Sequence, residues 1–503
     1  MNPGLTPQEI VEGPVSTTDP VSQGIVAVVI ILLFALLARE AAHRVLIVFG
    51  AAALLWLVTY LTPFHLISFE HGWAAVDINV LLLLASMMAV VGVLKATGFF
   101  EWAVGTIMNR SRGEPHRVQR IVSGFTAAAS ALLDNVTTVI FVTPMAMGMS
   151  RKLGLAPAAI LLPMVIASNV GGTATLIGDP PNIMIGSGAN LSFLDFVEVL
   201  TAPVIVMVIA VQAFSSRYYR AALADAKPMT AFVVELPPRP TDPLLLRWMA
   251  GISVFILVGF LTHAATGMPP AVPAVIGAAV ALIVQDVLYL RRHKPTAHER
   301  AHGILHVIER EIEWPTLSFF FFLFIVVGAA VETGLISSIA QGLEWTIDNA
   351  ARTFSLGDQG TLLLAALLIC WVSAVLSALI DNIPYVAVSI PIVFALTQVL
   401  QGDTQVLWWA LALGACLGGN GSAVGASANV TAIGLAEKEG ARIGFAEFMR
   451  FGFPAMIITV TIASGFLAMY TLLGEGRAAI ASWIVAVALV LATVAGKSLL
   501  KRR

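Results

Sequence analysis

Long apolar runs recur along nearly the whole chain and give the first expectation for its structure. Runs of about 20 apolar residues are typical of helices that cross a bilayer. Straight runs of this kind occur at 21–38, 45–61, 78–97, 197–214, 248–264, 272–289, 316–333, 451–472 and 479–496. The pattern therefore predicts an all-α, polytopic membrane protein.

Four further segments are apolar but do not match one straight helix. Residues 121–150 and 361–400 are too long for a single span and carry one acid each near the middle, which predicts two short helices joined by a turn. Residues 156–187 and 408–431 are interrupted by glycines and polar residues. These two are predicted to be broken helices, which occur in a bilayer only where the freed backbone lines a cavity.

The positions of the basic residues indicate how these segments cross. Suppose that each hairpin enters and leaves on the same side and that each broken helix crosses once. All but three of the 28 Lys and Arg residues then fall in loops on one side of the membrane or in the C-terminal tail on that side. Basic loops favour the cytoplasm. We therefore expect re-entrant hairpins, with the basic loops and the C-terminus cytoplasmic and the protein in the cell (inner) membrane.

An internal repeat appears when the sequence is shifted by 247 residues. Ser130 to Val136 then aligns without a gap on Ser377 to Ile383. The same shift places Pro144, Gly171, Gly172, Gly178 and Asn182 on Pro391, Gly418, Gly419, Gly425 and Asn429. On the crossing pattern above, the halves have opposite orientations, which is the architecture of alternating-access carriers. A chance match of apolar sequence is the alternative, but it does not account for the identical polar residues.

Composition narrows the function. The chain is 58% hydrophobic and 12% charged, with a mean hydropathy of +0.89, which excludes a soluble domain. Its net charge of −2 and dispersed basic residues do not support binding to nucleic acid. The only resemblance to a nucleotide loop, at residues 496–498, lacks the required upstream glycine. We expect no enzyme activity, and uphill transport driven by an ion gradient or by an unknown partner subunit.

The turns and breaks carry the polar residues that a transport site needs. Each acid in the bilayer centre costs roughly 3 kcal/mol, and no Lys or Arg lies in these segments to pair with Asp134, Asp179 or Asp381. Their natural partners are protons, Na⁺ or the amides at helix N-termini. Capping is the alternative role for Asp134 and Asp381, and fixing a turn is the alternative for Asp179. Cys370 and Cys416 are expected to be buried apolar side chains.

The candidate ion- and substrate-binding residues share oxygen-bearing or small side chains at these turns and breaks. They are Asp134, Asn135, Thr137, Thr138, Asn169, Thr173, Thr175, Gly178, Asp179, Asn182, Asp381, Asn382, Asn420, Ser422, Ser427 and Asn429. A coupling Na⁺ is expected near Asp134, Asn135, Asp381 and Asn382. No catalytic residue and no cofactor beyond the coupling ion is expected.

Four stretches carry a resemblance to a known family: Ala131 to Pro144, Ser168 to Ile185, Ser377 to Pro391 and Gly418 to Ala432. The chain resembles the arsenite-efflux and melanosomal P-protein permeases of the ion transporter superfamily, which includes citrate transporter-like proteins and divalent anion/Na⁺ symporters. The sequence from Leu133 to Thr138 is similar to the P-protein branch. The arsenite branch departs from that pattern, which argues against arsenite as substrate.

The resemblance implies an inverted-repeat ion-transporter fold of the elevator type and a homodimer in the lipid bilayer. It also implies scaffold and mobile parts in each repeat. The expected domains are an extracytoplasmic segment (1–20), scaffold helices of repeat 1 (21–109), a transport part (115–215), a cytoplasmic loop (216–247), scaffold helices of repeat 2 (248–350), a second transport part (361–475), and a last helix with a basic tail (479–503).

The function expected from these observations is secondary active transport, with H⁺ or Na⁺ driving a small inorganic or carboxylate anion. A Na⁺/H⁺ antiporter is the alternative, because the acids are abundant and no anion is required. An arsenite efflux permease and a channel are less favoured.

Overall fold

The computed structural model describes residues 19–39, 42–111, 113–226, 239–293 and 307–500. The expectations for the N-terminal segment before residue 19, for 227–238 of the cytoplasmic loop and for 501–503 of the basic tail lie outside these residues. So do Arg112 and the charges at 294–306.

Helices account for all regular secondary structure in the described residues, as the sequence predicted. The helices are α1 (Pro20–Ala38), α2 (Arg44–Leu61), α3 (Phe69–Ala74), α4 (Ile78–Ala96), α5 (Phe99–Ser111), α6 (Pro115–Ser130), α7 (Asn135–Leu153), α8 (Ala158–Gly172), α9 (Pro180–Ala189), α10 (Phe193–Tyr218), α11 (Arg220–Asp225), α12 (Pro243–Thr266), α13 (Ala271–His293), α14 (Trp314–Glu332), α15 (Leu335–Thr353), α16 (Asp358–Leu379), α17 (Asn382–Val399), α18 (Gln405–Gly418), α19 (Ser427–Lys438), α20 (Phe445–Leu473) and α21 (Glu475–Leu500). A π-helical turn (Val307–Glu311) and a 3₁₀ turn (Gly419–Gly421) complete the set.

Eleven of these helices are long and apolar enough to cross a membrane: α1, α2, α4, α10, α12, α13, α14, α16, α17, α20 and α21. They include all nine straight runs predicted from the sequence. The two additional ones, α16 and α17, form the second predicted hairpin.

The helices of that hairpin are longer than the sequence predicted. We expected two short helices in residues 361–400, but α16 has 22 residues and α17 has 18. At a rise of 1.5 Å per residue, α16 is about 33 Å long, which matches the hydrocarbon core of a bilayer. The prediction of short helices was wrong because the turn consumes only Ile380 and Asp381. The re-entrant path of both hairpins stays a prediction.

Both predicted helix breaks are present. The first break, residues 173–179, separates α8 from α9, and the second break, residues 419–426, separates α18 from α19. Residues of both breaks are almost entirely buried.

The chain forms two compact units. The first unit comprises the described residues within Met1–Arg110, Ser192–Leu194 and Phe232–Leu335, and the second comprises those within Ser111–Leu191, Asp195–Ala231 and Ile336–Arg503. In the first unit α4 packs on α13, α2 packs on α14, and α12 packs on α13. The scaffold and transport roles given above to parts of the chain stay predictions.

The second unit contains both hairpins and both breaks, and its packing follows the repeat. Within repeat 1, α6 packs on α8; within repeat 2, the equivalent α16 packs on α18. Between the repeats, α7 packs on α19, and the equivalent α17 packs on α9. The repeat read from the sequence is therefore visible as matched helix pairs.

Two glycines at equivalent positions allow close approaches within these pairs. A Cβ on Gly171 would overlap the backbone of Ala127 in α6, and a Cβ on Gly418 would overlap the backbone of Ala374 in α16. These four residues are related by the 247-residue shift. The glycines let α8 approach α6, and α18 approach α16, more closely than any side chain permits.

Candidate functional site

Each hairpin turn ends in an aspartate that caps the helix after it. Asp134 accepts hydrogen bonds from the backbone N–H groups of Val136 (2.9 Å) and Thr137 (3.1 Å), and Thr137 Oγ1 also donates to it. Asp381 accepts from the backbone N–H two residues on at 3.2 Å and from Ser427 Oγ at 2.6 Å. The capping role is therefore present in the structure, while ion binding by these two carboxylates stays a prediction.

A hydroxyl in each break is hydrogen-bonded to the end of the neighbouring hairpin helix. Thr175 Oγ1 donates to the Ala131 carbonyl oxygen at 2.5 Å, and Ser422 Oγ donates to the Ala378 carbonyl oxygen at 2.6 Å. The two contacts are related by the repeat. Because each hydroxyl proton is used on the backbone, Thr175 and Ser422 hold the breaks against the hairpins.

An asparagine after each break hydrogen-bonds the freed carbonyls within it. Asn182 Nδ2 lies 2.9 Å from the Thr175 carbonyl oxygen and 3.2 Å from the Thr173 carbonyl oxygen. Asn429 Nδ2 donates to the carbonyl oxygens of Gly419 (2.8 Å) and Ser422 (2.9 Å). These side chains satisfy backbone groups that the interrupted helices leave open.

Asn169 joins the two repeats. It is completely buried, and its Nδ2 donates to Asn420 Oδ1 at 3.0 Å and to Asn429 Oδ1 at 2.9 Å. Asn135 Nδ2 lies 3.5 Å from Asn169 Oδ1. Four candidates from both repeats are therefore brought together in one buried amide network.

Asp179 lies in the first break, with 1% of its surface exposed. Asn382 Nδ2, from the second hairpin, lies 3.5 Å from Asp179 Oδ2. Asn382 directly follows Asp381 in the chain, so the acid in the first break lies beside the second hairpin turn.

Unpartnered polar atoms lie at the first turn and in the second break. Asn135 Oδ1 and Thr138 Oγ1 are buried and have no hydrogen-bond partner among the described residues. The same holds for Asn420 Nδ2. The first two atoms are oxygens, the kind of ligand that a hard cation requires. The third is an N–H donor, the kind of group that binds an anion.

Two further candidates, Thr173 and Gly178, contact the backbone around the first break. Thr173 Oγ1 donates to the Asn169 carbonyl oxygen, one turn back, at 2.9 Å. Gly178 lies against the backbones of Gly172 and Ser130, where a Cβ would not fit. All sixteen candidate residues fall in the second unit.

Sequence reasoning missed three side chains next to these candidates. Ser168 Oγ lies 3.3 Å from both Ser130 Oγ and the Asn135 carbonyl oxygen. Cys416 is buried as expected, yet its Sγ lies 3.5 Å from Asn182 Oδ1, so it is not only an apolar side chain. The repeat offered a signal for it, because the 247-residue shift places Asn169 on Cys416.

Comparison with known proteins identifies the family. A family model described as "Citrate transporter" matches residues 32–414, which is most of the chain. The chain belongs to this citrate transporter family. With eleven apolar helices of spanning length in the part of the chain that the structure describes, it is a multi-pass integral membrane transporter.

Relatives of this citrate transporter family member cover nearly the same length. It is 36% identical over 447 residues to an uncharacterized transporter of Mycobacterium tuberculosis, which covers 88% of this chain and 97% of that protein. It is 36% identical over 444 residues to the "46 kDa membrane protein" of Mycobacterium leprae, which covers 87% and 96%.

The resemblance to the P-protein branch is also confirmed. The chain is 29% identical over 548 aligned residues to the P protein of Homo sapiens, covering 92% of this chain and 61% of that protein. The crystal structure of the Alcanivorax borkumensis YdaH transporter matches with a TM-score of 0.59 and 14% identity, over 87% of this chain and 100% of that one. That match shows a shared fold.

Proposed function

We propose that this citrate transporter family member is a secondary active carrier in which H⁺ or Na⁺ drives the movement of a small inorganic or carboxylate anion. The observation that carries the proposal is that the second unit contains both buried oxygen atoms and a buried N–H donor that lack hydrogen-bond partners among the described residues. Asn135 and Thr138 offer buried oxygens, and Asn420 offers a buried N–H donor, none with a partner among the described residues. A site that holds a cation and an anion together needs both kinds of group.

The coupling cation binds at the first turn. Asp134 supplies charge there, and Asn135 Oδ1 and Thr138 Oγ1 supply neutral oxygen ligands on the next turn of helix. Asp381 and Asn382 are the repeat-related groups at the second turn. If the cation is H⁺ rather than Na⁺, the buried Asp179 is a further carboxylate able to carry it.

The anion binds near the second break. Helix α19 begins at Ser427 and no side chain caps it, which places a helix N-terminus beside the second break, where Asn420 Nδ2 lies. The equivalent helix α9 begins with Pro180 and Pro181, which have no N–H to donate. The two breaks are therefore not equivalent, and a carboxylate such as citrate is the first substrate to test.

Transport proceeds by alternating access, with the second unit carrying the site in an elevator motion within a homodimer. The two repeats meet at Asn169 and Asn429, as expected for a site between inverted repeats. The carrier lies in the cell membrane with its basic loops in the cytoplasm.

The proposal is tested by counter-flow in proteoliposomes with radiolabelled citrate, succinate and phosphate, with and without Na⁺ and a pH gradient. Asp134→Asn and Asp381→Asn should abolish cation-dependent flux because they remove the charge at the turns. Asp358→Asn, at an exposed helix start, is the matched control and should transport normally. Unchanged cation dependence in both turn variants would reject the assignment.

The alternative is a Na⁺/H⁺ antiporter, favoured by the acids at both turns and in the first break, Asp134, Asp381 and Asp179. A pH-sensitive dye trapped in the vesicles separates the two functions. Na⁺ pulses without any anion acidify or alkalinise the lumen only in an antiporter. Arsenite efflux and channel activity are separate outcomes, detected by labelled arsenite and by non-saturating flux.

A further inference from the structure

Helix α7 carries an unusual set of buried polar atoms. Asn135 Oδ1, Thr138 Oγ1, Thr143 Oγ1 and Ser150 Oγ have no hydrogen-bond partner among the described residues. Each of these residues is at most 2% exposed. The first two belong to the proposed cation site at the turn, but Thr143 and Ser150 lie beyond it and have no role in that site.

Hydroxyls inside helices normally donate to the carbonyl one turn back. Thr126, Ser215 and Thr459 do this in the same unit, at 2.8, 2.6 and 3.0 Å. Thr143 and Ser150 do not. Polar groups buried without a partner are costly, so hydroxyls that forgo this bond indicate another partner, such as water or an ion.

The four atoms extend along most of α7. With a rise of 1.5 Å per residue, Asn135 and Ser150 are about 22 Å apart along the axis, and all four positions fall within about 140° of the helix circumference. Pro144 lies inside the helix and leaves the Ile140 carbonyl without its helical N–H. Ser123 on α6, which packs on α7, adds another buried Oγ without a partner in the described chain.

The second hairpin provides an internal comparison, because the 247-residue shift names the equivalent positions. Tyr385 Oη, at the position of Thr138, lies 2.9 Å from Ser373 Oγ. Thr397 Oγ1 donates to the Phe394 carbonyl oxygen at 2.6 Å. The remaining two equivalents, of Thr143 and Ser123, are Ile390 and Cys370. The positions of Thr138, Thr143, Ser150 and Ser123, which are unpartnered in the first hairpin, are therefore partnered, apolar or a thiol in the second.

We propose that α7 lines a hydrated route between the first turn and the Ser150 end of the helix, along which the coupling cation enters and leaves, and that the second hairpin has no such route. That the species moving along this route is the coupling cation rests on the proposed function. Arg151 follows Ser150 at the mouth and forms an ion pair with Glu439, which offsets a charge that would otherwise repel a cation.

The route is tested by cysteine accessibility in proteoliposomes, using a small, membrane-impermeant cationic methanethiosulfonate. Thr143→Cys and Ser150→Cys are compared with their repeat equivalents Ile390→Cys and Thr397→Cys. The wild type, whose Cys370 and Cys416 are buried, gives the background. Thr143→Cys and Ser150→Cys should react at least about tenfold faster than the equivalents, because only hydrated thiols ionise and react. Equal rates within each pair overturn the proposal.

A second variant tests the role in coupling. Thr143→Val removes one hydroxyl at nearly constant shape and should slow cation-coupled uptake several-fold while leaving the KM for the anion unchanged. Thr397→Val is the matched control and should transport as the wild type does. An unchanged rate in Thr143→Val counts against cation movement along α7.

The outcomes separate this inference from the proposed function. If no cation-coupled flux exists but Thr143→Cys still reacts faster than Ile390→Cys, the coupled carrier is rejected and the hydrated route remains. If flux is coupled but the two variants react equally, the route is rejected and the carrier remains.

Discussion

Asn169 Nδ2 lies 2.9 Å from Asn429 Oδ1, and this hydrogen bond joins the last turn of α8 in repeat 1 to the first turn of α19 in repeat 2. Both side chains are completely buried. The repeat-related pair, Cys416 and Asn182, is 3.5 Å apart. The two broken helices therefore contact each other through two repeat-related pairs of side chains. The contact between Asn169 and Asn429 is the shorter and stronger of the two.

Asn169→Ala should lower stability markedly. The change leaves Asn420 Oδ1 and Asn429 Oδ1 without their donor in a buried site, at a cost of about 2–4 kcal/mol in the free energy of unfolding. Thermal unfolding in detergent, followed by tryptophan fluorescence, measures the change. Asn349→Ala, on an exposed part of α15, is the control and should unfold like the wild type. Matching midpoints for the two variants would contradict the role of this network.

Gly171→Ala and Gly418→Ala should both be destabilising, by about 1–3 kcal/mol each, because the added methyl meets a neighbouring helix backbone that cannot move aside alone. Gly465→Ala is the matched control within α20. Nothing lies within 4 Å of the Cβ position there. That change should be neutral or slightly stabilising, since alanine favours helices over glycine. Thermal midpoints of the three purified variants decide the matter, and a tolerated alanine at both crossing sites would refute the close approach.

Asp242 gives a prediction of pH dependence in the first unit. Partial burial alone would raise the pKa of this carboxyl group, but hydrogen bonds from Arg292 and from the N–H groups of Leu245 and Leu244 outweigh it and lower the pKa below the ordinary value of 3.8. Because the pKa is lowered in the folded state, the ionised carboxylate of Asp242 stabilises the folded protein above pH 3.8. This stabilisation is lost as the pH falls through the lowered pKa.

Asp242→Asn should therefore be less stable than the wild type at neutral pH, by less than about 1 kcal/mol because Arg292 is half-exposed. The difference in stability between Asp242→Asn and the wild type should shrink as the pH falls below 3.8. Unfolding midpoints across that range test this. A difference that grows in acid would show that Asp242 is not stabilised as an anion.

The fold was largely readable from the sequence because apolar length and helix-breaking residues are local signals. All nine straight spans and both breaks appear where the pattern placed them. The lengths of α16 and α17 were not readable. A single acid, Asp381, interrupts an apolar run of about 40 residues, and sequence alone does not show that only two residues leave the helical conformation.

The candidate site was only partly readable. The repeat identified equivalent residues in the two halves, yet an alignment does not state which atoms touch. Asn169 and Asn420 are 251 positions apart, and their contact depends on how α8 meets the second break. Similarly, the alignment does not show that Asn135 Nδ2 lies near Asn169 in its own repeat while Asn382 Nδ2 lies near Asp179 in the other repeat. Hydrogen-bond partners of this kind follow from packing, which acts over long separations.

Thr175→Val and Ser422→Ala should have similar effects, because the two hydroxyls make equivalent bonds to the Ala131 and Ala378 carbonyl oxygens. Each change leaves a buried carbonyl without this donor, so each should destabilise the folded protein by about 1–3 kcal/mol. Transport should also fall, because each break loses its attachment to the neighbouring hairpin.

Thr262→Val is the control for both. Its exposed hydroxyl donates to the Val258 carbonyl oxygen within α12, so the loss of this hydrogen bond should have little effect on unfolding or flux. Thermal midpoints and initial uptake rates are measured for all three variants. The outcome that contradicts the prediction is that only one of Thr175→Val and Ser422→Ala differs from Thr262→Val. The two hydroxyl contacts would then not be equivalent attachments of the breaks to the hairpins, as inferred from the repeat.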